Sequence, residues 1–336
     1  VSKAGEIVRE ISFVTGDVLR QQIIIDGLEA ATTYQYQVLV DGVQPFVLDD
    51  AEPWSPLEFT TLPFEMPFRV AAIGDSGFGD DTTVRLVEGI AAQNPDFLLH
   101  SGDVVYWMHE YDRNPWVNWY EKYFKPFKPL LTRMPHYPTI GNHEYDEAAL
   151  IDGIPSYFWM FPPFNQDQAE GQRHWYSFDV NGIQFISLNT QLFYSYPQLK
   201  AEQETWLDQK LAREDVLYTV VFCHVALYSS ASPHQWDGIY AAEAWTAKFE
   251  QNHVALVLSG HAHVYERLEL NGVNYIVSGG GSATIYGQGE RLAHSKNFWS
   301  LSHYPIFDFY EDHIHLTVYS VHGEILDDLD LAVPGR

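Results

Sequence analysis

Five short segments with metal-ligating side chains recur in one direction along the chain: Gly74-Asp75-Ser76-Gly77, Gly102-Asp103-Val104-Val105-Tyr106, Gly141-Asn142-His143-Glu144, Val221-Phe222-Cys223-His224 and Gly260-His261-Ala262-His263. Together they supply two carboxylates, one phenol, one amide and three imidazoles. A mixed oxygen and nitrogen set of this size suits two metal ions held close together. Any one segment alone would read as a turn Asp or a hydrogen-bonded His; all of them in one chain point to a site.

Each segment follows an apolar run, and those runs predict the scaffold. Phe68–Ile73, Phe97–His100, 137–140, 218–223 and 254–258 are rich in β-formers and do not alternate, as expected of strands covered on both faces. Between them the spacing predicts helices over 82–93, 116–125, 201–213 and 241–252. Strand alternating with helix implies right-handed crossovers and a mainly parallel sheet. Ligands gather at the carboxyl ends of such strands, which is where all five segments fall. Later stretches at 175–178, Ile183–Leu188, 273–277, 307–310 and His313–Ser320 alternate more clearly and predict a second sheet.

Residues 1–62 have a different rhythm. Short alternating stretches at 22–25 and 33–39, bounded by Gly27, Asp41-Gly42 and Pro45, predict an antiparallel β segment. Residues 61–66, with Pro63, read as a linker.

At 336 residues, 46% hydrophobic and 15% aromatic, the chain has the length and composition for a sizeable core. Its formal charge of −26 disfavours nucleic-acid backbones and anionic membranes as partners. An anionic substrate would be repelled at long range, but a cluster of cationic metals reverses the field inside a pocket. No apolar run approaches the roughly 18 residues that cross a bilayer. Cys223 has no second cysteine to pair with and sits in an apolar run, where a buried thiol is expected. The chain begins at Val1, from which we expect a processed, trimmed or engineered N-terminus.

The motifs GDxG, GDxxY, GNH(D/E), VxxH and GHxH in this order resemble the purple acid phosphatases, a branch of the calcineurin-like metallophosphoesterases. Tyr106 is the residue that separates this branch from most of its relatives. The resemblance covers residues 67–333 and implies an α/β catalytic domain there, a four-layer sandwich of two mixed sheets flanked by helices. Plant-type members often have an N-terminal fibronectin type III module, and residues 28–36 resemble its tyrosine-corner region, with Tyr34 as the corner residue and Ala30 where proline is usual. About 60 residues are too few for its seven strands, so 1–62 reads as a truncated, all-β module.

Motif position implies that Asp75, Asp103, Tyr106 and His263 hold a ferric ion. Asp103, Asn142, His224 and His261 would hold a divalent one (zinc, iron or manganese), with Asp103 bridging. Ligand chemistry agrees, since a hard trivalent ion favours carboxylate and phenolate whereas a divalent ion accepts imidazole and amide. A phenolate on ferric iron further implies a purple or pink protein. The expected reaction is hydrolysis of phosphate monoesters by a metal-bound hydroxide, with an acidic optimum, acting on small phosphorylated substrates. His143 would protonate the leaving group, and His234 would contact substrate where plant-type members have two adjacent histidines; here Pro233 takes the first place. Glu144 and Glu266 read as buried structural acids, Gly279-Gly280-Gly281 as a tight turn near the site, and His100 as a packed core residue. Tyr286, His294 and His303 fall in stretches read as loops that could line the pocket. The resemblance implies a secreted or periplasmic location and leaves the oligomeric state open. A phosphodiesterase of the same superfamily and a non-catalytic binding protein are the alternatives.

Overall fold

Runs of β-branched and aromatic residues fold as buried strands in the computed structural model, which describes all residues except 13–22, 40, 42–56, 64, 108–113, 147–148, 152–153, 162–174, 283 and 335–336. β1 (Phe68–Ile73), β2 (Phe97–His100) and β3 (His136–Pro138) come first. β4 (Tyr176–Val180), β5 (Ile183–Leu188), β6 (Tyr218–Val225), β7 (Val254–Gly260), β8 (Tyr265–Leu270), β9 (Val273–Ser278) and β10 (Ser295–Trp299) follow. β11 (His303–Phe309), β12 (His313–Ser320) and β13 (Ile325–Ala332) complete the set. One mixed sheet has the order β13-β12-β11-β1-β2-β3, the other β4-β5-β6-β7-β9-β8-β10. Parallel pairing joins β1, β2 and β3 in the first sheet. It joins β5, β6, β7 and β9 in the second.

The parallel strands expected in a single sheet are therefore divided between two. The later stretches do not assemble on their own either: β4, β5 and β9 join β6 and β7, while β11 and β12 extend the sheet of β1. Alternation reports whether a strand has an exposed face, not which neighbour supplies its hydrogen bonds. β12 alternates buried and half-buried positions along its length, whereas β5 and β9 are buried throughout.

The two sheets meet face to face on phenylalanines. Phe68, Phe97, Phe185, Phe222, Phe307 and Phe309 share one buried cluster. Phe68 stacks on Phe309 at 5.2 Å, and Phe97 meets Phe185 edge-on at 5.4 Å. Helices cover the outer faces. The helix Asp81–Ala92 begins where the Asp80 side chain accepts the Thr83 N–H at 2.9 Å, and it buries Thr83, Leu86, Val87 and Ile90 along one face. With Trp119, Tyr123 and Phe127 it covers the first sheet. Helices Pro197–Leu211 and Ile239–Gln251 cover the second through Leu207, Leu211, Trp245 and Phe249. The result is four layers: helix, sheet, sheet, helix.

The helix expected over 116–125 starts at Pro115, widens to a π turn at Tyr120–Phe124 and continues as an α-helix to Leu131. Pro126 falls in the first turn after the wide segment, where a missing N–H costs least. Of the aromatic residues there, Trp119 is core and Trp116 is exposed.

At the N-terminus, strands Ser2–Lys3, Glu6–Ile7, Thr33–Tyr36 and Leu57–Thr60 form one antiparallel sheet. Buried Tyr34 accepts the Glu29 backbone N–H on its hydroxyl at 2.9 Å, a bond of tyrosine-corner type. The strand expected over 33–39 stops at Tyr36, and residues 23–25 form no regular element. Gln22, Gly42 and Pro45 lie outside the described residues, as do His109, Tyr111 and His174.

Candidate metal centre

All five ligand-bearing segments lie at carboxyl ends of strands. β1 runs into Asp75, β2 into Asp103 and Tyr106, and β3 into Asn142; β6 ends around His224, and β7 runs into His261 and His263. Three segments thus come from one sheet and two from the other, so the site straddles the ends of both. Asp75, Asp103 and His261 adopt φ of +59°, +51° and +65°, a left-handed conformation that costs a non-glycine residue energy. Each directly follows a glycine and turns back toward the site as its strand ends. Two glycines have a packing reason of their own. A Cβ on Gly141 would stand 2.2 Å from Asp103 Oδ1, and one on Gly260 would stand 2.4 Å from Asp75 Oδ2. Each makes room for a carboxylate supplied by a different segment.

The donor atoms fall into two adjoining groups. In one, Asn142 Oδ1 lies 2.9 Å from His224 Nε2 and 3.0 Å from His261 Nδ1. Asp103 Oδ1 is 3.3 Å from the same His224 nitrogen. In the other, Tyr106 Oη is 3.0 Å from His263 Nε2 and 3.4 Å from Asp75 Oδ1, while Asp75 Oδ1 and His263 Nε2 are 3.4 Å apart. Outer partners fix the tautomers. His224 Nδ1–H donates to the Ser101 carbonyl and His263 Nδ1–H to the Thr284 carbonyl, each at 2.8 Å. His261 donates its Nε2–H to Asp237 Oδ2 at 2.8 Å. In all three rings the remaining nitrogen, which carries the lone pair when the ring is neutral, faces inward, the arrangement usual for metal-binding histidine.

The electrostatics agree with this geometry. Burial draws the His224 pKa down, but Asp103, Asp75 and the Ser101 carbonyl together outweigh it and the net shift is up, to about 10. Burial pushes Asp103 up, yet His224 and His143 together reverse this and hold it well below the usual carboxylate range. Burial, reinforced by Asp75 and Asp103, keeps the Tyr106 phenol far above its ordinary value, so ionising it takes a nearby cation. Two buried carboxylates here draw positive charge onto imidazole, and the residues fit the two-ion reading in donor type, tautomer and charge.

Glu144 braces the Asp103 loop. Its carboxylate accepts the N–H groups of Gly141 (2.7 Å), Asp103 (3.1 Å), Val104 (2.8 Å) and Val105 (3.3 Å). Burial first, and Asp103 second, raise its pKa to about 7. Glu266 is likewise structural, bound to Ser229 and to the N–H and hydroxyl of Ser230.

His143 stands over the Tyr106 ring, edge to face at 4.6 Å, with Nε2 3.9 Å from Asp103 Oδ2 and Nδ1 2.7 Å from Asp146 Oδ2. His234 packs on His261 at 4.4 Å and points Nδ1 at Asp237 Oδ2, 2.7 Å away. Tyr286 stacks on His263 at 4.3 Å and also touches His234, closing one wall. Asp146 and Asp237 were not singled out from the sequence. The spacing that finds them is His-x-x-Asp, which occurs at both His143 and His234.

Other readings resolve plainly. His100 is buried and bonded to Ser76 Oγ at 2.8 Å. Gly281 N–H bonds the Gly74 carbonyl, placing the glycine turn beside Asp75. His303 does not lie in a pocket-lining loop: it starts β11, wholly buried, and its ring nitrogens meet Leu301 O at 2.9 Å and Ser278 Oγ at 3.1 Å in place of water. His294 packs edge-on against Tyr228.

Residues 68–265 match the calcineurin-like phosphoesterase family. Purple acid phosphatase 23 of Arabidopsis thaliana is 25% identical over 272 residues, covering 73% of this chain and 57% of its own length. Purple acid phosphatase 22 of the same plant is 28% identical over 252 residues, covering 73% and 52%. The chain thus spans about half the length of these relatives. Among solved structures, the yellow lupin purple acid phosphatase PPD1 superposes with a TM-score of 0.65 at 19% identity, over 83% of this chain and 56% of that one. GAP50, the anchor in the inner membrane complex of Plasmodium, gives 0.66 at 18% identity, over 81% and 90%. These two likenesses concern the fold.

Proposed function

The chain belongs to the calcineurin-like phosphoesterases, and on that premise we propose that it hydrolyses phosphate monoesters at a ferric–divalent pair, with an acidic optimum. Asp75, Tyr106 and His263 would hold the ferric ion. Asn142, His224 and His261 would hold the divalent one (zinc, iron or manganese), with Asp103 shared. The observation that supports this most is the placement of Tyr106 Oη within 3.0 Å of His263 Nε2 and 3.4 Å of Asp75 Oδ1. A phenol buried among an imidazole and a carboxylate suits a hard trivalent cation. When bound, such a pair supplies Lewis acidity toward phosphate oxygens and a hydroxide drawn from water in mild acid.

The chain's own residues do the rest. Glu144 holds the backbone of the Asp103 loop so that the shared carboxylate is set before substrate arrives. Asp146 holds Nδ1 of His143, leaving Nε2 to give a proton to the departing alkoxide. Asp237 orients His234 toward the same pocket from the His261 side.

Metal analysis and the visible spectrum of concentrated protein test the reading, with p-nitrophenyl phosphate and bis-p-nitrophenyl phosphate assayed side by side. Iron, a second metal, a visible band lost in Tyr106→Phe and faster monoester turnover are expected. A colourless protein that keeps full activity without iron would sink the ferric assignment. Preference for the diester would sink the monoester one.

A further inference from the structure

Beside the metal centre the chain exposes a set of aromatic rings that the fold does not need. Trp236 lies between His234 and Asp237 in sequence and is 61% exposed; among the described residues no ring lies against it. Tyr194, 50% exposed, donates its hydroxyl hydrogen to the Asp237 carbonyl, which ties the short helix Leu192–Ser195 to the Trp236 turn. Tyr196, also exposed, reaches the other side, its ring 5.9 Å from that of Tyr145 in the His143–Tyr145 turn. The segment 194–196 therefore spans the two turns that present His143 and His234. Exposed Tyr240 continues the rim into a hollow of about 490 Å³ that also takes in Phe193, Lys200 and Glu243.

Phe193 explains why this segment is held at all: it sits edge-on to buried Trp245 at 5.0 Å. Among the described residues no comparable ring contact anchors the Trp236 indole. A large amphipathic ring kept in water on the turn that carries His234 and Asp237 has area to gain from a planar partner. The charges narrow what that partner is. Asp146 (bonded to His143), Asp237 (bonded to His234 and His261) and Glu243 stand around the rim, with Lys200 as the hollow's cation, directed at the Phe193 ring from 4.7 Å. A leaving group bearing further phosphates would meet carboxylates there, whereas a neutral aromatic one would meet rings.

We propose that the Trp236 indole is a stacking platform for the alcohol half of the ester, with Tyr194 and Tyr196 on the rim beside it. The preferred substrates are then monophosphates of neutral planar alcohols, aryl or nucleoside, over those of polyphosphorylated polyols. The inference rests on the monoesterase reading but is tested separately from it. KM and kcat are measured for adenosine 5′-monophosphate, phenyl phosphate, glycerol 2-phosphate and inositol hexakisphosphate, with the wild type, Trp236→Ala and Trp236→Phe. Relative to glycerol 2-phosphate, Trp236→Ala raises KM for the two aromatic esters about tenfold, the scale of one lost stack. Trp236→Phe recovers most of the loss. Comparing each substrate with itself across variants cancels its leaving-group pKa. A larger effect on the nucleotide assigns the platform to nucleosides, and the reverse assigns it to simple aryl esters.

The second readout needs no turnover: saturation-transfer NMR of adenosine, which lacks phosphate, gives a signal with the wild type that Trp236→Ala removes. Binding without hydrolysis of any ester would leave the platform standing and sink the monoesterase reading. Equal KM changes for all esters, a kcat/KM highest for inositol hexakisphosphate, or adenosine binding unaffected by Trp236→Ala would overturn the platform.

Discussion

Oδ2 of Asp237 lies 2.8 Å from Nε2 of His261, so an acid outside the ligand motifs decides which nitrogen of that ring faces the pocket. The His261 bond, ahead of burial, which opposes it, keeps the pKa of this carboxyl at about 2, and it is ionised at any working pH. An ionised acceptor demands the proton on Nε2 and leaves Nδ1 as the ligand atom.

Asp237→Ala removes that demand. The ring is free to swap tautomer and swing, and the same change releases His234. Affinity for the divalent ion is expected to fall about 10- to 100-fold, the range for loss of an outer carboxylate. Competition with a chromophoric chelator measures it, and circular dichroism checks the fold. Unchanged affinity would mean that packing alone orients His261.

Glu144→Gln tests the brace under Asp103. One amide has a single acceptor oxygen, and its NH₂ would face N–H groups of the 103–105 loop. At least one buried donor then loses its acceptor, at a cost of about 1–3 kcal/mol, and two N–H groups are left facing each other. A lower melting temperature and weaker retention of both ions are expected together. Loss of stability with metal binding intact would show that the loop holds Asp103 without Glu144.

Acid should destabilise the protein through three buried histidines outside the ligand set, His100, His136 and His303, each held by burial below the ordinary value. Burial holds His100 at about 3 and His303 at about 4, both below the ordinary 6.5. Folded values lower than unfolded ones mean that protons favour the unfolded chain. The contribution is whole above about 6.5 and drains as pH falls from there toward the folded values. Each ring costs about 2 kcal/mol between about pH 7 and pH 5. Urea unfolding at both pH values should show the drop, and His303→Gln should reduce it by about 2 kcal/mol. An unchanged slope in that variant would remove His303 from the account.

That Asp75, Asp103, Tyr106, Asn142, His224, His261 and His263 would be brought together was legible because metal chemistry restricts residue types and because parallel strands deliver their next residues to one end. Asp75, Asp103 and His261 could be placed from the glycine before each and the apolar run before that. The sheet each strand joins was not legible, since β5 and β12 differ in exposure rather than in pairing code. Asp146 and Asp237 escaped because a carboxylate three residues after a histidine is usually a solvated turn. Only the turn geometry decides whether it folds back onto the ring. Trp236 escaped for a similar reason: composition cannot tell an indole in the core from one left in water.

His143 is where catalysis can be separated from metal binding. Its ring packs on Tyr106, and Asp146 occupies Nδ1, so Nε2 is the atom left to give up a proton. Proton donation matters in proportion to how poor the leaving group is. His143→Ala should therefore slow glycerol 2-phosphate hydrolysis by about 10²- to 10⁴-fold. It should slow p-nitrophenyl phosphate, whose phenolate leaves unprotonated, by about tenfold at most. Asp146→Asn, which keeps the ring but weakens its hold, should fall between, with the same ordering of substrates. Equal losses for both esters with full metal content would mean that His143 binds the phosphate rather than serving the leaving group. Loss of metal in His143→Ala would mean that the ring's main work is to support Tyr106.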